Sequence, residues 1–246
     1  MRTLAGAVVL VTATFLAAPS ASLAVPFDFT TLAGGVENTL LSNTETVAGV
    51  EATGWVQDTT GGGGTYGLAP LWLRNISNDH GLGVCSEGIS NCAPVSQGGG
   101  GGDVNEVDNA GQWELIRLEK PDGFLWTSLW VSSLDGNQGV SDERGTLYWS
   151  NNADPNGIGG FSSFSYAFGD FGGLVEGDLL TLGIPGFDPA ARYVFFQPGP
   201  EGTNNDHLVW RGDLSRPVPE PGTLMLVGSG LVGLGRLGWV RRRKAA

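Results

Sequence analysis

The feature that most constrains this chain is an apolar stretch close to its C-terminus, residues 222–240. Its 19 residues are just enough to cross a bilayer core, since a membrane-spanning helix needs about 20 residues at about 1.5 Å rise each. Six glycines dilute the stretch, and Arg236 is its single charge. Arg236 lies one turn from the basic end, where a long side chain reaches the head groups. The sequence therefore predicts a transmembrane helix over 222–240.

Short motifs flank this stretch on both sides. A basic stub over 241–246 follows it, and by the positive-inside rule this places the chain end in the cytoplasm. The residues of the stub that carry charge are Arg241, Arg242, Arg243 and Lys244. A Pro-Glu-Pro motif precedes the stretch, formed with its neighbours by Val218, Pro219, Glu220, Pro221 and Gly222.

The order of features over residues 217–246 resembles the PEP-CTERM sorting tail of Gram-negative bacteria. Pro-Glu-Pro comes first, and the apolar span, the basic stub and the chain end follow. The same tail is known as the ice-binding protein C-terminal domain, a label that implies no ice binding. The resemblance implies that an exosortase, a membrane cysteine protease, processes the protein near the Pro-Glu-Pro. It also implies a transient inner-membrane anchor, a final place at the cell surface or in the extracellular matrix, and an association with exopolysaccharide and biofilm. A plain C-terminal anchor is the alternative.

The N-terminus predicts a secretory signal peptide over residues 1–24. A positive Met1-Arg2 precedes an apolar region from Leu4 to Ala18, and small residues end at Ala24. This order is typical of a segment that signal peptidase removes. The alternative is an uncleaved anchor, for which the apolar region is short.

The region between these ends, residues 25–216, has the length of one domain. It contains seven basic and 24 acidic side chains, which gives a formal charge of −17. Such a surface repels phosphate backbones, so the sequence predicts no nucleic-acid partner. The carboxylates are instead available to hard cations such as Ca²⁺.

Short apolar runs between turn clusters predict that this domain is all-β, a β-sandwich of jelly-roll type. In the predicted strand 161–168, alternation places Phe164, Tyr166 and Phe168 on one face. The strand 113–118 is apolar on both faces, which is typical of a central strand. Nine strands are predicted, at residues 47–56, 68–76, 113–118, 125–134, 146–150, 161–168, 179–182, 193–197 and 207–211.

Three sets of residues are candidate sites. Cys85 and Cys92 of an exported chain predict a disulfide, worth about 2 to 2.5 kcal/mol for so short a loop. Trp126 and Trp130, predicted to share one strand face, are candidates for stacking on a sugar, although core filling is the usual role of tryptophan. Four closely spaced oxygen donors predict a Ca²⁺ site, with a solvated acidic loop as the alternative; they are Asp103, Asn105, Glu106 and Asp108.

Catalytic motifs are sparse in this sequence. His80 and His207 are the only histidines, and neither a G-x-S-x-G elbow nor an HExxH motif is present. We therefore expect a non-enzymatic protein, with signal peptidase as a partner during export. The resemblance of the tail implies a place at the surface or in the matrix, exosortase as a second partner during export, and exopolysaccharide as a later one. The alternatives are a Ca²⁺-dependent carbohydrate-binding module and a secreted polysaccharide hydrolase with paired carboxylates. The segment from His80-Gly81-Leu82-Gly83 to Leu118 is similar to exported domains that often precede such tails.

Overall fold

The computed structural model describes residues 23–36, 39–60, 64–76, 79–86, 107, 112–134, 143–199, 205, 207–217 and 228–230. Residues 23–217 belong to one compact unit. Within the described ranges, no helix is long and apolar enough to cross a membrane. Nearly all of the predicted signal peptide and sorting tail lies outside the described residues.

Fourteen strands arranged in two antiparallel sheets are described. In chain order they are β1 (Ala24–Asp28), β2 (Thr39–Leu40), β3 (Thr44–Val47), β4 (Val50–Thr60), β5 (Tyr66–Ala69), β6 (Leu71–Ile76), β7 (Asp79–Val84), β8 (Gln112–Glu119), β9 (Leu125–Ser132), β10 (Arg144–Ser150), β11 (Ser162–Ala167), β12 (Gly177–Asp178), β13 (Tyr193–Pro198) and β14 (Leu208–Ser215). Four short 3-10 helices lie between them, at Phe29–Gly35, Pro155–Gly160, Phe168–Phe171 and Leu179–Leu182.

The first sheet, sheet A, has the spatial order β12-β9-β14-β7-β6-β2, and β1 also pairs with β14. Strand β14 thus has β9 on one side, whereas β7 and β1 share its other side. The second sheet, sheet B, has the order β11-β10-β13-β8-β4-β3, with β5 pairing β4. The last strand before the sorting tail is therefore an interior strand of its sheet.

The main hydrophobic core lies between the two sheets. Leu73, Leu82 and Val131 of sheet A are fully buried in it, as are Ile116 and Phe196 of sheet B. Burial of an aliphatic or aromatic side chain of this size stabilises a fold by about 1.5–3 kcal/mol. The prediction of an all-β sandwich is confirmed, because two antiparallel sheets enclose one apolar core.

The strand patterns that the sequence displayed most strongly are found in the fold. Phe164, Tyr166 and Phe168 all pack against the core between the sheets. Strand β8 lies between β4 and β13, with Ile116 in the main core and Leu115 in a second apolar cluster. The predicted strand 68–76 is two strands, since β5 ends at Ala69 and β6 begins at Leu71.

One predicted strand is wrong: Leu179–Leu182 is a 3-10 helix. The carboxylate of Asp178 accepts a hydrogen bond from the Leu180 amide at 3.0 Å, which caps the first turn. Gly183 ends the helix in the left-handed conformation, with φ of 67°. An acidic N-cap and a C-terminal glycine are standard helix signals, and here they outweigh the apolar run between them.

Candidate functional site

The pairing of β9 with β14 contains two irregularities that reorient side chains. Trp210 is an extra residue on β14 between Val209 and Arg211, and Thr127 is an extra residue on β9. A bulge of this kind changes which face the following residues occupy. As a result, Val209 packs in the core, whereas Trp210 and Arg211 both take part in an aromatic cluster outside it. The Thr127 hydroxyl donates to the Asp213 carbonyl at 3.0 Å and ties the second bulge to β14.

A glycine on the neighbouring strand makes the first bulge possible. A Cβ at Gly81 would lie 2.4 Å from the Val209 carbonyl oxygen and 2.8 Å from the Trp210 Cα. The φ of Gly81 is +133°, a conformation that residues with a side chain rarely adopt. The segment His80-Gly81-Leu82-Gly83, conspicuous in the sequence, thus has a structural role: it lets β7 approach the bulged strand closely.

The bulge assembles an arginine between two tryptophans, which we call the Arg211 stack (Arg211, Trp130 and Trp210). The guanidinium carbon of Arg211 lies 4.5 Å from the Trp130 ring centroid and 3.8 Å from that of Trp210. The two indoles meet nearly at right angles, 5.8 Å apart. His80 extends the cluster, with its ring 5.1 Å from Trp210. Contacts between a cation and an aromatic ring contribute about 0.5–2 kcal/mol each.

A pocket of about 310 Å³ opens beside the Arg211 stack. Its walls come from three adjacent strands of sheet A, namely β1, β14 and β9. Gly212 forms part of this lining, and a Cβ there would lie 2.6 Å from the Phe27 ring, so the core packs directly beneath it. The polar and aromatic side chains of the lining are Asp28, Ser128, Trp130, Arg211 and Asp213.

The polar groups of this pocket have unused hydrogen-bonding capacity. The hydroxyl of Ser128 is buried, with the residue only 6% exposed, and no described residue forms a hydrogen bond with it. Oδ1 of Asp28 accepts from the amide and hydroxyl of Thr30 at 2.9 and 2.6 Å. Within the described ranges, Oδ2 of Asp28 and the guanidinium of Arg211 make neither a hydrogen bond nor an ion pair. A buried hydroxyl without a partner costs about 1–3 kcal/mol, so such a group is suited to a ligand.

Arg117 of sheet B provides a contrast, because its cation already has a carboxylate partner, although its Nε has no hydrogen-bond partner among the described residues. Its guanidinium also lies over two rings, 5.9 Å from Trp55 and 5.4 Å from Tyr193. It forms an ion pair with Glu51 at 3.2 Å and donates to the Thr53 hydroxyl at 3.1 Å. The Arg117 contacts thus hold sheet B together, whereas the Arg211 stack leaves its N–H groups available.

The predicted tryptophan pair is not on one face, and this expectation is wrong. Trp126 is 1% exposed, packs edge-on against Phe27, and donates its indole N–H to the Ala191 carbonyl at 2.9 Å. Trp130 lies on the opposite face and lines the pocket. The bulge at Thr127 inverts the alternation between them, so only Trp130 stays a candidate for contact with a sugar.

The other predicted sites fall largely outside the described residues. This applies to Cys92, to the Ca²⁺ candidates Asp103, Asn105, Glu106 and Asp108, to the motif Val218, Pro219, Glu220, Pro221 and Gly222, and to Arg241, Arg242, Arg243 and Lys244. Among the residues that are described, no group of three or more His, Cys, Asp or Glu is arranged to hold a metal. The Ca²⁺ site stays a prediction.

Two of these predicted sites adjoin or include a residue that the structure describes. Val107, in the middle of the acidic segment, is fully buried, and its amide donates to the His207 carbonyl at 2.9 Å. Cys85 is 3% exposed and packs beside Trp72. Its pairing with Cys92 stays a prediction, since the second cysteine lies outside the described residues.

Sequence reasoning missed Arg211, Asp213, Asp28 and Ser128 as pocket residues. Arg211-Gly212-Asp213 spells an adhesion tripeptide that arises easily by chance, and Asp28 lies only four residues beyond the predicted signal cleavage. The strand predicted over 207–211 ends at Arg211, so alternation could not place Asp213 on the same face. The observed strand β14 continues to Ser215 and brings the two side chains to one face.

Comparison with known families identifies the tail. The PEP-CTERM protein-sorting motif matches residues 217–244. The motif indicates an exported protein that is sorted by an exosortase and carries a C-terminal membrane-anchored sorting tail. No curated protein and no solved structure matches the chain.

Proposed function

We propose that the protein is a non-enzymatic component of the cell surface or extracellular matrix that associates with exopolysaccharide in a biofilm. The observation that carries this proposal is the sorting motif over residues 217–244. Proteins with tails of this kind accompany exopolysaccharide production, and an exported domain held near that polymer has the opportunity to bind it.

The surface chemistry of the domain supports this role. A formal charge of −17 over residues 25–216 keeps an exported domain soluble and disfavours association with anionic polymers such as nucleic acid. The pocket beside the Arg211 stack combines one aromatic wall with a few fixed polar groups, which is the usual composition of a small-ligand site.

A binding role is favoured over catalysis because the two histidines lie elsewhere. His207 is fully buried inside the sandwich, and His80 packs on Trp210 without lining the pocket. Ser128 therefore has no histidine beside it to act as a general base, which an activated serine requires.

Fractionation of the producing cells tests the proposal. We expect the processed protein in the extracellular matrix, and we expect enzymes that degrade the exopolysaccharide to release it into the medium. A strain without the gene should form a matrix that retains less polysaccharide. Protein that stays in the medium at every stage, or a matrix unchanged by its loss, would contradict the proposal.

A carbohydrate-binding module is the second candidate, and the pocket with Trp130 and Arg211 favours it. Purified processed protein mixed with the isolated exopolysaccharide separates the candidates. Co-sedimentation indicates binding, and its loss with chelator indicates dependence on Ca²⁺. Steady release of reducing sugar ends would instead indicate a hydrolase and overturn the non-enzymatic role.

A further inference from the structure

We infer that the pocket beside the Arg211 stack binds a neutral polyol, and that its ligand is a pyranose unit of an uncharged glycan. This inference rests on the proposed function and specifies its ligand. It is carried by the mixed charge of the pocket, by a buried hydroxyl without a partner, and by the fixed position of one arginine.

The size of the pocket favours a small unit rather than a flat protein contact. Its volume of about 310 Å³ is at the lower end of the usual range for ligand pockets, about 300–1,000 Å³. Three strands supply its walls, so its shape is set by sheet hydrogen bonds rather than by loops. A site on strands holds its groups more rigidly than a site on loops.

The charges of the pocket select the class of ligand. Arg211 is paired in register with Asp28 on β1, and Asp213 follows it on the same face of β14. An anion attracted to Arg211 is repelled by both carboxylates, and a cation attracted to the carboxylates is repelled by the guanidinium. A neutral ligand whose groups both donate and accept hydrogen bonds satisfies all three, and vicinal hydroxyls of a sugar do so.

Ser128 provides an independent sign of a missing partner. The residue is 6% exposed, it lines the pocket, and no described residue forms a hydrogen bond with its hydroxyl. The oxygen is closed to solvent in the unliganded domain, so a rotation about χ1 must turn it into the pocket, where a ligand hydroxyl supplies both a donor and an acceptor.

The Arg211 stack provides preorganisation. Two rings hold the guanidinium, at 4.5 and 3.8 Å, so little side-chain freedom remains to be lost when a ligand binds. Arg211 lies over the Trp130 ring, and both residues line the pocket. A pyranose ring in the pocket keeps its hydroxyls within reach of the polar groups.

Isothermal titration of the processed protein, purified from the producing cells, tests the inference with three kinds of probe. The neutral probes are cellotetraose, maltotetraose and mannotetraose, the anionic probe is tetragalacturonate, and the cationic probe is CaCl₂ alone. We expect at least one neutral tetrasaccharide to bind, with an affinity that changes little between low and high salt. Binding of tetragalacturonate in preference to every neutral probe would overturn the inference, as would no binding of the neutral probes.

Matched variants locate the site. We expect weaker binding of the neutral probe from each of three variants, Arg211→Gln, Asp213→Asn and Ser128→Ala. The loss should be about tenfold or more for the first two, in which a charged group loses its hydrogen bond to the ligand. Arg216→Gln is the control, because Arg216 also stacks on a ring, 4.7 Å from that of Phe124, but does not line the pocket. Equal weakening by Arg216→Gln and Arg211→Gln would place the ligand elsewhere.

The same variants separate this inference from the proposed function. Arg211→Gln protein that loses the neutral probe and also leaves the matrix supports both. Arg211→Gln protein that stays in the matrix, together with wild-type protein that binds no neutral probe, overturns the pocket and leaves the matrix role standing. Wild-type protein that binds the neutral probe but never enters the matrix supports the pocket and overturns the matrix role. The thermal midpoint of each variant reports folding, and Asp213→Asn serves if Arg211→Gln does not fold.

Discussion

The ring of His207 meets that of Tyr166 edge-on inside the sandwich, with centroids 5.8 Å apart and planes at 76°. Among the described residues, neither imidazole nitrogen of His207 has a hydrogen-bond partner, and the Tyr166 hydroxyl has none either. Burial lowers the pKa of His207 to about 3 from its usual 6.5, and it raises the pKa of Tyr166. The imidazole is therefore neutral in the folded domain.

This pair predicts a specific loss of stability in acid. Below pH 6.5 the unfolded chain protonates His207 while the folded domain does not, until the pH nears 3. Stability is therefore present above pH 6.5 and is lost as pH falls towards 3, by up to about 1.4 kcal/mol per pH unit. Urea unfolding of His207→Phe protein from pH 7 to 4 should show a shallower decline than wild type, with His80→Gln as the control. An identical decline in His207→Phe would contradict the prediction.

The contact of Gly81 with the bulge predicts that Gly81→Ala is strongly destabilising. The new Cβ would meet the Val209 carbonyl and the Trp210 backbone, and the strained φ alone costs about 1–3 kcal/mol. Gly67→Ala is the matched control on β5, because nothing lies within 4 Å of its Cβ position. We expect the thermal midpoint to fall by several degrees for Gly81→Ala and to stay nearly constant for Gly67→Ala. Similar midpoints for the two variants would show that the bulge tolerates a side chain.

The predicted disulfide joins Cys92 to Cys85, which is buried beside Trp72, and it has two measurable consequences. A bond from Cys85 to Cys92 should appear as one linked peptide in mass spectrometry of the non-reduced exported protein. Cys92→Ser should lower the free energy of unfolding by about 2 to 2.5 kcal/mol, the expected effect of so short a loop. Two free thiols, or a link between two chains, would exclude this pairing.

The sorting motif predicts a processed product. An epitope after Lys244 should be absent from the mature protein, whereas an epitope beside Val25 should remain, because cutting near Glu220 removes only the tail. Replacing Pro219, Glu220 and Pro221 by alanine should leave a longer form in the inner membrane. Immunoblots of membrane and matrix fractions measure both. Full-length protein in the matrix with both epitopes present would indicate a simple anchor instead.

The fold class could be predicted from the sequence because its signals are local and repeated. Alternation in β11 identified the core face through Tyr166, and the two-sided apolar pattern of β8 identified a central strand. Strand β7 was not predicted, since His80-Gly81-Leu82-Gly83 has a composition typical of a turn. Its glycines are required by a contact with β14, far away in the chain, which no local pattern contains.

The candidate site could be predicted only in part, for a similar reason. The alternation rule holds until an extra residue enters a strand, and the bulge at Thr127 places Trp126 in the core and Trp130 in the pocket. The partners of Arg211 come from β9 and β14 together, and the pairing register decides which residues meet. Register depends on tertiary packing, so Trp130 could be named in advance and Arg211 could not.

The pairing of β1 with β14 sets an order of events during export. Val25, the first residue after the predicted signal cleavage, pairs with Leu214, so the first strand of the domain finds its partner only after about 190 further residues have crossed the membrane. Closing so long a loop is entropically costly and slow, and an early segment cannot complete sheet A alone. The sorting tail begins directly after β14. Sheet A therefore cannot be completed until the whole chain up to the sorting tail has been exported.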